Sequence, residues 1–167
     1  MKNIKILIGM LIGLIVVSSL SLATISRMEE MDEEEYVEID SIKVGTSGFI
    51  FFSDGDNCTG IIAKTSEERA KSLNLGLENK IENRPNTHDI YAETIEHFNI
   101  SLDKVIITKI EDNTFISDLI FRKENRILKL DSKPSDAMAL ALRTNSSIYM
   151  NKTLYDIRKE NICNNSA

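Results

Sequence analysis

The apolar positions of this chain fall into three regimes. Ile6 to Val17 is an unbroken apolar run after Lys2 and Lys5, extended more weakly through Ser18 to Ala23 and Ile25. A helix needs about 20 apolar residues to cross a bilayer, so the run stands between a cleavable signal and an anchor. Ser21 and Ala23 offer a small-x-small cleavage site. Lysines before the run and carboxylates after it place the C-terminal domain outside the cytoplasm. Residues 1–26 are read as a signal peptide or membrane anchor, the uncleaved anchor being preferred. The second regime, R-M-E-E-M-D-E-E-E at 27–35, is too charged to pack and reads as an acidic linker.

From Tyr36 the apolar residues come in short bursts. Tyr36 to Val44, Phe49 to Ser53 and Cys58 to Ala63 read as strands, with a turn at Asp54-Gly55-Asp56-Asn57. Thr65 and Glu68 make a capping-box pattern ahead of a helix over 66–78, on which Ala70, Leu73 and Leu77 share one face. Arg84-Pro85 breaks the chain into an extended conformation, and Asn86 or Thr87 caps a second helix with Ile90, Tyr91, Thr94, Ile95 and Phe98 inward.

Val105 to Ile110, Thr114 to Phe121 and Arg126 to Leu130 then predict an antiparallel meander with tight turns at 111–113 and 123–125. Pro134 sets the start of a third helix, nearly uncharged from Ala137 to Leu142 and so buried nearly all round. Ser132 or Ser135 is expected to cap it. Ser147 to Met150 is a short strand and Thr153 to Glu160 a terminal helix. Hairpins mixed with a few helices indicate an α+β domain over 36–160, an antiparallel or mixed sheet packed against three to four helices, with a polar tail at 161–167.

Charge narrows the partners. The formal charge is −6, but Tyr36 to Ala167 holds 17 Lys plus Arg against 20 Asp plus Glu. A duplex-gripping protein carries a basic surplus, which is missing here, so any nucleic-acid site is a local patch. Arg122, Lys123, Arg126, Lys129 and Lys133 are the local basic concentration: a phosphate-tracking strip, or solvated hairpin charges. Cys58 and Cys163 lack metal-type spacing, which argues against zinc. An oxidising compartment would permit a disulfide, but Cys163 lies in the polar tail N-I-C-N-N-S-A, so two free thiols are expected.

Two blocks carry most of the polar groups of interest: R-P-N-T-H-D at 84–89 and K-P-S-D-A-M-A-L-A-L-R at 133–143. With D-N-T-F-I-S-D-L at 112–119, they resemble the signature blocks of the bifunctional nuclease (BFN) domain family, whose usual forms are close to R-P-x-T-H-D and R-P-S-D-A-I-A-L-A-L-R. The resemblance covers roughly 45–151 and implies a nuclease acting on DNA and RNA. Three positions depart from that pattern: Lys133 replaces an arginine, Arg69-Ala70 stands where relatives show Glu-Ala, and Asn79 stands where they show glycine.

Phosphodiester hydrolysis needs an activated water, stabilisation of charge on phosphorus and a proton for the leaving oxygen. His88, Asp89 and Asp136 are the catalytic candidates, and Arg84, Lys133, Ser135 and Arg143 the candidates for holding substrate. Asp89 and Asp136 are also candidate ligands of a divalent cation, Mg²⁺ or Mn²⁺, as general chemical expectation. Each has a structural alternative. Thr87-His88-Asp89 can simply start a helix, Asp136 can complement a helix dipole or reach Arg84, and Arg143 can pair with a carboxylate or cap carbonyls. His97 complements its helix dipole.

The function read from the sequence is an exported, membrane-anchored nuclease. The alternative is a non-catalytic α+β module that self-associates or binds an anionic ligand at the cell surface. The partners these readings allow are nucleic acid, a membrane engaged by the N-terminal segment, and a second copy of the chain. The N-x-S/T triplets at Asn57, Asn99, Asn145, Asn151 and Asn164 are compatible with export.

Overall fold

The computed structural model describes residues 35–163. The apolar run at 6–17, the acidic linker up to residue 34 and the last four residues of the tail lie outside them. Among the described residues no helix is long and apolar enough to cross a membrane.

The fold is α+β, with nine strands and four α-helices among the described residues. Strands β1 (Tyr36–Glu38), β8 (Ser147–Asn151), β5 (Ser101–Glu111), β6 (Thr114–Lys123) and β7 (Arg126–Ser132) form one sheet in that order. Strands β2 (Ser41–Val44), β3 (Phe49–Ser53), β4 (Thr59–Lys64) and β9 (Glu160–Asn161) form a second, antiparallel sheet. The helices are α1 (Glu67–Leu77), α2 (Thr87–His97), α3 (Pro134–Thr144) and α4 (Lys152–Arg158).

The expected meander is present. β5, β6 and β7 pair antiparallel in sequence order, and Asp112 and Asn113 both take positive φ in the first turn, as a two-residue hairpin with right-handed twist requires. The chain then needs a crossover, because β8 lies parallel to β5 on the far side of it. A parallel connection needs a dozen or more residues, and here it is a helix. That helix, α3, must pass over β5 and β6, so it is covered on all sides: Ala137, Met138, Ala139, Leu140 and Ala141 are buried in succession. It packs against α1 and α2 as well as the sheet.

Several local expectations are corrected. Residues 36–44 make two strands, not one, because the chain changes partner between Ile39, whose N–H bonds the Ile148 carbonyl, and Asp40, whose N–H bonds the Ser53 carbonyl. β1 then pairs with β8 of the first sheet, and β2 with β3 of the second. Ser66, not Thr65, caps α1. Neither Ser132 nor Ser135 caps α3, whose N-cap position is held by Lys133 with no capping side chain among the described residues. On α2, Tyr91, Ala92 and Ile95 face the core, while Ile90, Thr94 and Phe98 are exposed. Leu77 is exposed too, whereas Ala70 and Leu73 of the same helix are buried.

The free-thiol expectation fails. Cys58 and Cys163 form a disulfide with Cα atoms 5.2 Å apart. The reason is β9: Glu160 pairs with Gly60 and Asn161 with Thr59, which carries Cys163 back beside the start of β4.

Candidate functional site

The two signature blocks converge. Pro134 starts α3 and Pro85 precedes α2, and the first turns of these two helices bring Asp136 and His88 to Arg69 and Ser72 of α1. There His88, Asp136, Arg69 and Ser72 form one cluster. His88 Nδ1 lies 3.0 Å from Ser72 Oγ. His88 Nε2 is 3.6 Å from Asp136 Oδ1, just beyond hydrogen-bond reach, and Arg69 Nε is 3.3 Å from the same oxygen.

Behind this cluster sits a buried ion pair. Arg143 Nε donates to Asp89 Oδ1 at 2.5 Å, its Nη1 to the carbonyls of Ser72 and Ala139 at 3.1 and 2.8 Å, and its Nη2 to Ser72 Oγ at 3.3 Å. Asp89 Oδ2 accepts from the Asn86 backbone N–H at 2.7 Å, and the Asn86 side chain accepts from the N–H groups of His88 and Asp89, closing a capping box. Burial alone would push the Asp89 carboxyl up, but the Arg143 guanidinium and the Asn86 N–H outweigh it and hold the group below the usual carboxylate range. Gly76 permits this packing: a Cβ there would stand 3.0 Å from both Arg143 Nη1 and Leu142 Cβ.

The residues named from sequence therefore divide. His88 and Asp136 line a cleft of about 470 Å³ together with Arg69 and Ser72. Asp89 and Arg143 are buried and mutually satisfied, so both serve to position Ser72 and, through it, His88. Asp136 meets Arg69, not Arg84; Arg84 is exposed in a shallow depression with Glu82 and Asn83. Lys133 and Ser135 open onto a different cleft, on the other side of Arg69. In the basic hairpin, Arg122 bonds Asp103 and Lys129 bonds Asp118, so these two are ion-paired.

Arg69 and Ser72 were not candidates from the sequence. They stand three residues apart on one face of α1, a spacing that puts side chains side by side. That and the departure of Arg69 from the family pattern were the signals available.

The described residues offer no three-ligand site of His, Cys, Asp or Glu for a divalent cation. Asp89 spends both oxygens on protein donors, and Asp136 Oδ1 faces a guanidinium. The chemistry available is that of the side chains: a carboxylate, a cation and an imidazole on one cleft.

Burial is the largest influence on His88 and lowers its pKa, with the Asp136 charge opposing and Arg143 reinforcing. The ring is therefore neutral at pH 7. The unfolded chain takes up the His88 proton first as the pH falls below about 6.5, so the native state loses stability until the folded ring also protonates. Denaturant midpoints measured from pH 7.5 to 5 should show this decline in the native protein and a shallower one in His88→Gln.

Comparison with known proteins covers the segment of chain that carries this cleft. The bifunctional nuclease domain model matches residues 53–162, and the chain belongs to that family. Two uncharacterized proteins of Mycobacterium tuberculosis are similar to it, MT1877 of strain CDC 1551 / Oshkosh and Rv1829 of strain ATCC 25618 / H37Rv. Each is 38% identical over 103 residues, which span 61% of this chain and 59% of the relative.

Proposed function

We propose that this protein hydrolyses phosphodiester bonds of DNA or RNA at the His88 cleft. The observation that carries the reading is the single cluster of a neutral imidazole, a carboxylate and a guanidinium on an open cleft, in a chain of the bifunctional nuclease family. In the proposed tautomer the proton sits on His88 Nδ1 and is donated to Ser72 Oγ, 3.0 Å away, which also accepts from Arg143 Nη2. Nε2 is then the free base facing the cleft. It takes the proton of the attacking water and returns it to the leaving oxygen, while Asp136 stabilises the imidazolium formed in between. Arg69 offsets the charge that develops on phosphorus.

Full-length protein incubated with labelled single-stranded DNA and RNA should cleave them with EDTA present as well as with Mg²⁺. His88→Ala should lose about 10²- to 10⁴-fold in rate, the usual worth of a positioned general base. Wild-type rates in His88→Ala and Asp136→Asn would refute the assignment.

Export remains part of the proposal. The Cys58–Cys163 bond supports it, because disulfides persist in oxidising compartments and are rare in reducing ones. The N-terminal apolar run supports an anchor. Fractionation of cells producing the full chain, with the thiols trapped at lysis, would place the domain outside the cytoplasm and the cysteines oxidised.

A further inference from the structure

We propose that the cleft between the two sheets takes one unpaired nucleotide of a single-stranded substrate, base inward and phosphate towards Arg69. The inference rests on the nuclease reading and adds the substrate class. The cleft holds about 540 Å³, the scale of small-molecule sites, and lies between β3 and β4 on one side and the β5–β6 hairpin tip on the other. Its floor is apolar: Ile50, Phe52, Ile61 and Met138 are each at most 2% exposed, and Phe115 forms a half-buried wall. Its rim is basic. Lys64, Arg69, Lys133 and Arg158 face it against one carboxylate, Glu160, in a chain whose net charge is −6.

An apolar floor under a ring of cations selects a ligand with a flat apolar body and an anionic group, which is the chemistry of a nucleotide. Phe115 is the less buried of the two aromatic side chains lining the cleft, and it is the one assigned to stack on the base. Ser135, Thr65 and Asn113 on the walls supply the few polar groups that orient such a ligand. Arg69 fixes the direction, because it lines this cleft and the His88 cleft alike. A nucleotide seated here with its phosphate on Arg69 presents the next ester bond to His88. A base held in a duplex is paired and stacked and cannot reach the floor, so the substrate is single-stranded.

The test is calorimetric titration of the full-length, oxidised protein with adenosine 5′-monophosphate, uridine 5′-monophosphate, adenosine and inorganic phosphate. Both nucleotides should bind, and adenosine and phosphate should each bind at least about ten-fold more weakly, since each keeps one of the two recognised parts. Lys133→Ala and Arg158→Ala should weaken nucleotide binding about three- to ten-fold each. Phe115→Leu, which keeps the apolar packing and removes the stacking face, should weaken it about five-fold or more. Lys152→Ala, exposed and outside the cleft, should bind as wild type does. Phosphate binding as tightly as the nucleotides, or affinities indifferent to all three cleft substitutions, would overturn the proposal. Nucleotide binding that follows this pattern without any cleavage of oligonucleotides would leave the cleft assigned and refute the nuclease reading. Cleavage together with cleft-indifferent binding would do the reverse.

Discussion

Replacing Cys58 and Cys163 together by serine should lower the stability of the domain by about 4 kcal/mol and its melting temperature by about 10 °C. The bridge joins residues 105 apart in sequence. Closing a loop of that size removes on the order of 4–5 kcal/mol of conformational entropy from the unfolded chain. The native side of the balance points the same way. β9 has two residues and pairs only through Thr59↔Asn161 and Gly60↔Glu160, and a ladder that short is not stable by itself.

Without the bridge, β9 and the end of α4 would fray before the rest of the fold unfolds, taking Arg158 and Glu160 away from the cleft they line. Dithiothreitol added to the native protein should reproduce the loss once thiol titration shows two free sulfhydryls. A melting temperature unmoved in both the double variant and the reduced protein would show that β9 contributes nothing to the cooperative unit. The prediction is large because the local ladder is small: beside the covalent bond, two residue pairs and the Ile162 N–H bond to the Cys58 carbonyl hold β9 against β4.

That bridge was also the feature least legible in the sequence, and the reason is physical. Nothing near Cys163 marks a strand; its neighbours, Ile162 apart, are polar, and β9 exists because it lies along β4, about a hundred residues earlier. The same holds for residues 36–44, which read as one strand because their local pattern is continuous. What divides them is the choice of partner, β8 for one half and β3 for the other. Features set by short-range chemistry were legible: Pro134 began its helix, Arg84-Pro85 broke the chain where α2 needed it, Asn86 capped α2, and the paired turns produced a meander.

The site shows the same division. His88 and Asp136 stood out because each comes after a proline-marked break, and the structure brings them within 3.6 Å. Arg69 and Ser72 did not, because on α1 they look like ordinary solvent-face positions of an amphipathic helix. Only the tertiary packing of α1 against α3 turns that face into a cleft wall. Asp89 and Arg143 carry strong polar chemistry at helix ends, yet their charges are directed at each other. A residue's type signals that it needs a partner, and the fold decides whether the partner is a ligand or another side chain.

Asp89→Ala is therefore expected to lower stability by about 3–5 kcal/mol, a loss on the scale of breaking a buried pair and larger than removal of a cap alone. The side chains of Asp89 and Arg143 are 3% and 8% exposed, so deletion of the carboxylate leaves a largely buried guanidinium without its counter-charge. It also takes away the acceptor of the Asn86 N–H. Asp89→Asn keeps the shape and part of the cap but not the charge, and should lie between the alanine variant and wild type.

Replacing both partners, as in Asp89→Leu with Arg143→Met, should cost less than the sum of the single changes, since no buried charge is then stranded. The shortfall, read from denaturant midpoints as a double-mutant cycle, measures the coupling of the pair. The pH dependence separates this from simple loss of packing. Asp89 is held below the usual carboxylate range in the fold, so its contribution is fully present above the unfolded value near 3.9 and is lost as the pH falls through the lower folded one. Wild type should approach the Asp89→Asn variant in stability on acidification below pH 4. A gap between them that stays constant from pH 7 to pH 2.5 would mean that the ionised carboxylate is not what the Arg143 site requires.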